Sequence, residues 1–147
     1  MKKILLFISL VFIGSSAFAQ LEQPVTWSYK AKRTSKTEAI LYLKATMSEK
    51  WHIYSLHVKG IPAKTTFTFT PSKDFVLLGQ TIEPKPISKY DQILKTNLTY
   101  FEKEVTFTQK VKLNKSTTTI KGMVEFMACN DKQCLPSDAI SFSIPIK

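Results

Sequence analysis

Hydrophobic and polar residues alternate with a period of two along much of the chain. The clearest example has apolar side chains at every second position, namely Ala39, Leu41, Leu43 and Ala45. A second stretch, residues 105–113, places Val, Phe and Leu between threonines and lysines. Because successive side chains of a strand point to opposite faces, each stretch predicts a half-buried β-strand.

Other segments rich in Val, Ile, Thr, Phe and Tyr predict further strands. They cover residues 25–33, 50–56, 64–70, 117–128 and 139–146. Turn-forming residues separate several of them, as at residues 59–62, 71–74 and 114–116, and helical periodicity is almost absent. This spacing predicts an all-β fold, an immunoglobulin-like antiparallel β-sandwich of seven or eight strands.

Residues 83–97 interrupt this rhythm. The segment contains Pro84 and Pro86 and has no clear alternation of apolar and polar positions. We therefore predict a long loop here. Ordered loops on rigid sandwiches often carry binding or catalytic residues, which makes this segment a candidate for function.

The first residues have the three parts of a secretory signal peptide. Lys2 and Lys3 precede an apolar run over residues 4–13, and small residues lead to Ala19. The run is about ten residues long, whereas a membrane-spanning helix needs roughly 20. We expect cleavage after Ala19, which leaves residues 20–147 as one exported domain without an integral membrane span.

The chain is basic, with a formal net charge of +10 that falls to +8 when Lys2 and Lys3 are removed. Its lysines are scattered, and no basic run alternates with aromatic residues, so nucleic acid is not an expected partner. Attraction to an anionic membrane surface or to an acidic protein remains open.

Cys129 and Cys134 are the only cysteines, so one intramolecular disulfide is possible. Four polar residues separate them, and Asn130 and Asp131 favour a turn that brings the two sulfurs together. In an exported protein such a bond can form and persist. A disulfide at the end of a strand is therefore geometrically plausible.

Two functions fit this bond. It could be a structural staple in a non-enzymatic binding or adaptor module, although closing so short a loop stabilises the fold by only about 2 kcal/mol in the chain-entropy model. Alternatively, an exposed short-loop disulfide suits thiol–disulfide exchange, in which a thiolate approaches one sulfur in line and releases the other. The sequence does not choose which sulfur is attacked.

Two motifs carry a resemblance to a known family. Trp51-His52-Ile53-Tyr54-Ser55 and residues 129–136, which hold both cysteines and end in Leu135-Pro136, resemble the amino-terminal domain of the periplasmic thiol:disulfide interchange protein DsbD. The resemblance extends over the mature chain. It implies an immunoglobulin-like fold and a redox pair, Cys129 and Cys134, that passes electrons between thioredoxin-like periplasmic proteins, with the electron donor acting in trans.

The resemblance also implies a site around the cysteines. His52 and Tyr54 fall on two alternate strand positions that the family fills with aromatic residues, so both side chains share one face. Asp91 matches the acidic residue of a loop that caps the disulfide. Ile93 and Leu94 match the shielding tip of that loop. The implied activity is that of a protein-disulfide reductase type of electron carrier.

A zinc site is a weaker alternative. Cys129 and Cys134, and likewise His52 and His57, have spacings that zinc ligands use. The two histidines are five positions apart on a predicted strand and therefore point to opposite faces, and an oxidising compartment favours the disulfide. We predict no metal, no cofactor and a monomeric protein.

Overall fold

The computed structural model describes residues 23–147, which form eleven β-strands. The strands are β1 Val25–Arg33, β2 Glu38–Met47, β3 His52–Tyr54, β4 Thr66–Phe69, β5 Phe75–Ile82, β6 Ile87–Asp91, β7 Thr96–Glu102, β8 Glu104–Leu113, β9 Thr118–Phe126, β10 Ala128–Cys129 and β11 Asp138–Ile146. Within these described residues there is no helix that could cross a membrane. The predicted signal peptide, residues 1–19, lies outside them.

The strands form three antiparallel sheets. The major sheet has the order β1-β2-β8-β5, the hairpin sheet β10-β3-β7-β6, and the closing sheet β11-β9-β4. The all-β sandwich predicted from the alternation is confirmed, with eleven strands in place of seven or eight.

The period of two decides which side chains are buried. In β2 and β8 every second residue is enclosed, and these residues include Leu41, Leu43, Phe107 and Val111. They pack in one hydrophobic core with inward side chains of the other two sheets, such as Ile53 and Ile144.

Phe107 lies where the three sheets meet. Its ring centroid is 6.1 Å from that of Trp27 in the major sheet. It is 5.1 Å from Phe67 in the closing sheet and 5.7 Å from Phe101 in the hairpin sheet. Phe107 is fully buried, and these aromatic contacts join the three sheets into one core.

The prediction of a long loop over residues 83–97 is wrong. After Pro84 and Pro86 the chain forms a β-hairpin of β6 and β7, whose register runs from Ile87 opposite Tyr100 to Asp91 opposite Thr96. The alternation is weak because β6 is the outer strand of its sheet and all five of its side chains are at least partly exposed.

No strand was predicted over the residues of β5. It is the outer strand of the major sheet, and apolar and polar side chains are exposed on both of its faces after Phe75. Its register against β8 shifts between Leu78 and Ile82, where Gly79 has a φ of 71°. Period-two patterning cannot identify a strand that is neither half-buried nor regular.

Candidate redox site

Cys129 and Cys134 are joined by a disulfide at the end of β10. The loop between them is held by its own hydrogen bonds. The N–H of Asn130 donates to the carbonyl oxygen of Gln133 at 2.8 Å, and the N–H of Leu135 donates to that of Ala128 at 2.9 Å. The side-chain oxygen of Asn130 also accepts the N–H groups of Lys132 and Gln133, each at 2.9 Å. The predicted turn therefore places the cysteines side by side.

The two cysteines differ in their access to solvent. Cys129 is 1% exposed, whereas Cys134 is an exposed residue. Since exchange requires in-line approach to one sulfur, an external thiolate can reach the Cys134 side of the bond.

The site lies on one face of the hairpin sheet, and the strand register places its residues opposite one another. Cys129 lies opposite His52 on β3, and His52 lies opposite Glu102 on β7. Tyr54 follows two positions along β3 and lies opposite Tyr100. Side chains directly opposite each other share a face with their Cβ atoms about 4.5–5.5 Å apart, so all five project to the outer side of the sheet.

Aromatic contacts join the centre of this face. The ring of His52 lies 5.3 Å from that of Tyr54 in an edge-to-face arrangement and 4.9 Å from that of Tyr100. Tyr54 and Cys129 are also members of a small buried cluster that includes Val58 and Ala63 from the β3–β4 segment. His52 and Tyr54 share one face, as their spacing predicts, and Cys129 lies on the same face.

Burial and nearby charges shift the pKa values of two of these groups. Burial lowers the pKa of His52 below its ordinary value of 6.5, while Glu102 and Asp131 act to raise it and Lys89 acts to lower it. The pKa of Tyr54 is raised by burial first and then by Asp91 and Tyr100. Tyr54 is therefore a neutral phenol near pH 7, and His52 is the group whose titration is closest to neutrality.

Asp91 begins the tip of the β6–β7 hairpin. Its carboxylate oxygen accepts the N–H groups of Ile93 at 2.9 Å and Leu94 at 2.8 Å, which closes the turn. Asp91 shares a sheet face with Ile87, the residue opposite Tyr100, because alternate positions of β6 point the same way. Its charge influences Tyr54. The structure thus brings Asp91 to the same face as the cysteine pair.

Ile93 and Leu94 stand at the end of this hairpin. They are 90% and 46% exposed, so neither side chain is buried against the disulfide in this structure. Their predicted shielding role remains a prediction.

A carboxylate fixes the other end of the hairpin. Ser55 donates its hydroxyl to one oxygen of Glu83 at 2.6 Å, and the N–H of Leu56 donates to the second oxygen at 2.7 Å. These bonds join the segment that precedes β6 to the end of β3. They fix the position of the hairpin relative to His52 and Tyr54.

The sequence of residues 19–145 matches the family described as "Thiol:disulfide interchange protein DsbD, N-terminal". The chain belongs to this family. No curated protein sequence matches it.

Solved structures of DsbD N-terminal domains have the same immunoglobulin-like fold. The reduced DsbD N-terminal domain of Neisseria meningitidis is 15% identical, with a TM-score of 0.54 over 80% of this chain and 82% of that one. The complex of the DsbD and PilB N-terminal domains from the same organism matches with 13% identity and a TM-score of 0.56, over 84% of this chain and 87% of that one. The N-terminal periplasmic domain of ScsB from Proteus mirabilis gives 16% identity and a TM-score of 0.60, over 85% of this chain and 47% of that one.

Sequence reasoning missed two residues of the site in this DsbD-type domain. Tyr100 and Glu102 lie on β7 beside Tyr54 and His52. They are two positions apart with the buried Phe101 between them, a short alternating signal just after the predicted loop over residues 83–97.

An open groove of about 790 Å³ lies beside His52, the first residue of β3. Charged residues that line it with His52 are Glu49, Lys50, Glu102, Lys103, Glu104 and Asp131. In residues 23–147 no three His, Cys, Asp or Glu side chains gather as a metal site would require. His57, which shares the zinc-like spacing with His52, is exposed and lies outside this groove.

Proposed function

We propose that this chain is a periplasmic thiol–disulfide interchange domain whose Cys129–Cys134 pair cycles between disulfide and dithiol. The observation that carries this proposal is the pairing of an exposed Cys134 with a buried Cys129 in a short loop. Membership of the DsbD N-terminal family supports it. Its electron donor and acceptor are thioredoxin-like proteins, with the donor acting in trans.

In the exchange step a thiolate of the reduced partner attacks Sγ of Cys134. A mixed disulfide forms between the partner and Cys134, and the electron pair of the broken bond goes to Sγ of Cys129. The second partner thiol then attacks the mixed disulfide and leaves both domain cysteines reduced. A complex formed by a DsbD N-terminal domain with a PilB N-terminal domain supports direct docking of this kind.

The loop is well suited to opening and closing its bond. The hydrogen bonds of Asn130 and Leu135 close the cysteine loop in addition to the disulfide. We expect them to persist on reduction, so that reduction requires little rearrangement. A long-range structural bond would instead constrain the unfolded chain strongly.

Four further residues assist in this proposal. Asp91 and Tyr54 help to transfer protons at the open side of the site, because both lie on the face that carries the cysteine. Ile93 and Leu94 shield the pair from nonspecific oxidants. That role requires the hairpin tip to bend over Cys134, because both side chains are exposed in this structure.

The second candidate is a binding module with a purely structural disulfide. The equilibrium reduction potential of the Cys129–Cys134 pair separates the two functions. It is measured in glutathione or dithiothreitol buffers with free thiols trapped. We expect a value of roughly −180 to −270 mV, the range of exchange proteins. A value below about −300 mV would identify a structural bond and support the binding module.

A further inference from the structure

Opening of the disulfide places a negative charge on a buried sulfur atom. When an external thiolate attacks Cys134, the leaving group is the Cys129 thiolate. Cys129 is 1% exposed and belongs to an apolar cluster with Val58 and Ala63. Burial in apolar surroundings disfavours a thiolate, so the step needs a proton source on the Cys129 side.

His52 occupies the position from which a proton can be delivered. It lies directly opposite Cys129 across the β10–β3 pair, so the two side chains are neighbours on the same face. His52 also lines the open groove described above. It is therefore both a neighbour of Cys129 and a residue of the groove.

We propose that His52 carries a proton between this groove and the sulfur of Cys129. The inference rests on the proposed exchange function. As the Cys134–Cys129 bond breaks, the imidazolium of His52 gives its proton to the Cys129 thiolate, which becomes a thiol, and the neutral imidazole is reprotonated from the groove. In the reverse direction neutral His52 accepts the Cys129 proton. The resulting Cys129 thiolate attacks Sγ of Cys134 in the mixed disulfide. The Cys129–Cys134 bond re-forms and the partner thiolate is expelled.

The charged surroundings of His52 suit this exchange. Glu102 on β7 and Asp131 in the cysteine loop stabilise the imidazolium, and Lys89 on β6 opposes them. Tyr54 and Tyr100 contact the ring, and Glu49, Lys50, Lys103 and Glu104 line the groove. Burial, the largest influence, lowers the pKa of His52, and the two carboxylates act against that fall.

The other polar groups of the face are less suited to Cys129. The oxygen of Asp91 that closes the hairpin tip is occupied by the two N–H groups of Ile93 and Leu94. Tyr54, whose pKa is raised, stays neutral near pH 7 and so cannot account for a rate that changes in that range. His52 thus supplies a proton route that is separate from the one assigned to Asp91 and Tyr54.

The test is the pH dependence of disulfide reduction by dithiothreitol in the mature domain. The rate constant is corrected for the fraction of dithiothreitol present as thiolate. We expect the wild-type rate constant to fall about tenfold as pH rises through the pKa of His52, because the proton donor is lost. In His52→Gln the corrected rate constant should be low and independent of pH.

Two variants make the test specific. His57→Gln removes the other histidine, which is exposed and outside the groove, and should behave as wild type. Glu102→Gln removes a charge that raises the pKa of His52, so the fall should move to lower pH. A purely structural role of His52 would lower the rate equally at every pH.

The outcomes separate this inference from the function on which it rests. A readily reduced wild-type protein whose pH profile is unchanged in His52→Gln would overturn the role of His52 and leave the exchange function standing. A wild-type disulfide that resists dithiothreitol at every pH would overturn both.

Discussion

The two faces of the hairpin sheet are built from the same strands but have opposite surroundings. Ile53 and Phe101 point inward and are buried in the sandwich core. His52 and Tyr100, each one residue away along the chain, point outward, are only partly buried and lie among charged groups. One step along a strand therefore separates a residue that holds the fold together from one placed for chemistry.

This arrangement keeps stability and function apart. The core joins three sheets through Phe107, whereas the outer face is closed by a small cluster and a hairpin with an exposed tip. Substitutions on the outer face should then change exchange rates at little cost in folding free energy. The three predictions below test that separation, beginning with the largest expected effect.

Replacement of Phe107 by Ala should have the largest effect on stability. The substitution leaves a cavity where Trp27, Phe67 and Phe101 meet, and we expect the free energy of unfolding to fall by about 3–5 kcal/mol. Urea unfolding followed by tryptophan fluorescence measures this loss. Ile93→Ala, at the exposed hairpin tip, is the matched control and should change stability by less than about 0.5 kcal/mol. Similar losses in both variants would contradict the separation of core and site.

Removal of either cysteine should have a smaller effect on stability. Loss of the disulfide opens only a short loop, so Cys129→Ala and Cys134→Ala should each lose about 2 kcal/mol. Their reactivity should differ. The exposed thiol left in Cys129→Ala should form a mixed disulfide with oxidised glutathione faster than the buried thiol left in Cys134→Ala. Equal rates would show that the two sulfurs are equally accessible.

The sequence predicted the parts of the fold that are half-buried. In β2 and β8 one face is enclosed and the other is not, so the alternation of residues is visible. β5 and β6 are outer strands with exposed side chains, and burial leaves no pattern in them. The edge positions of β5 and β6 therefore account for two of the strands that the pattern missed.

Features of the site that depend on neighbouring residues in the sequence were predictable. The turn between the cysteines follows from Asn130 and Asp131, and the shared face of His52 and Tyr54 follows from their spacing. The position of Glu102 beside His52 depends on strand pairing between distant segments. So does the contrast in exposure between the two cysteines, which a local sequence pattern cannot reveal.

Asp91→Ala should have the smallest effect on stability and a clear effect on exchange. It removes a carboxylate that accepts two N–H groups in an exposed turn, so the free energy of unfolding should fall by less than about 1 kcal/mol. Reduction by a thioredoxin should slow, because the charge beside Tyr54 is lost. Both quantities are measured on one preparation, by urea unfolding and by trapping free thiols.

Asp91→Asn separates the charge of Asp91 from its place in the turn. Asparagine keeps an oxygen that can accept the N–H groups of Ile93 and Leu94 but carries no charge. If the carboxylate assists proton transfer, Asn should slow exchange as much as Ala does. If only Ala slows it, Asp91 positions the hairpin and takes no part in the chemistry. Wild-type rates in both variants would remove Asp91 from the mechanism and leave His52 as the titrating group of the outer face.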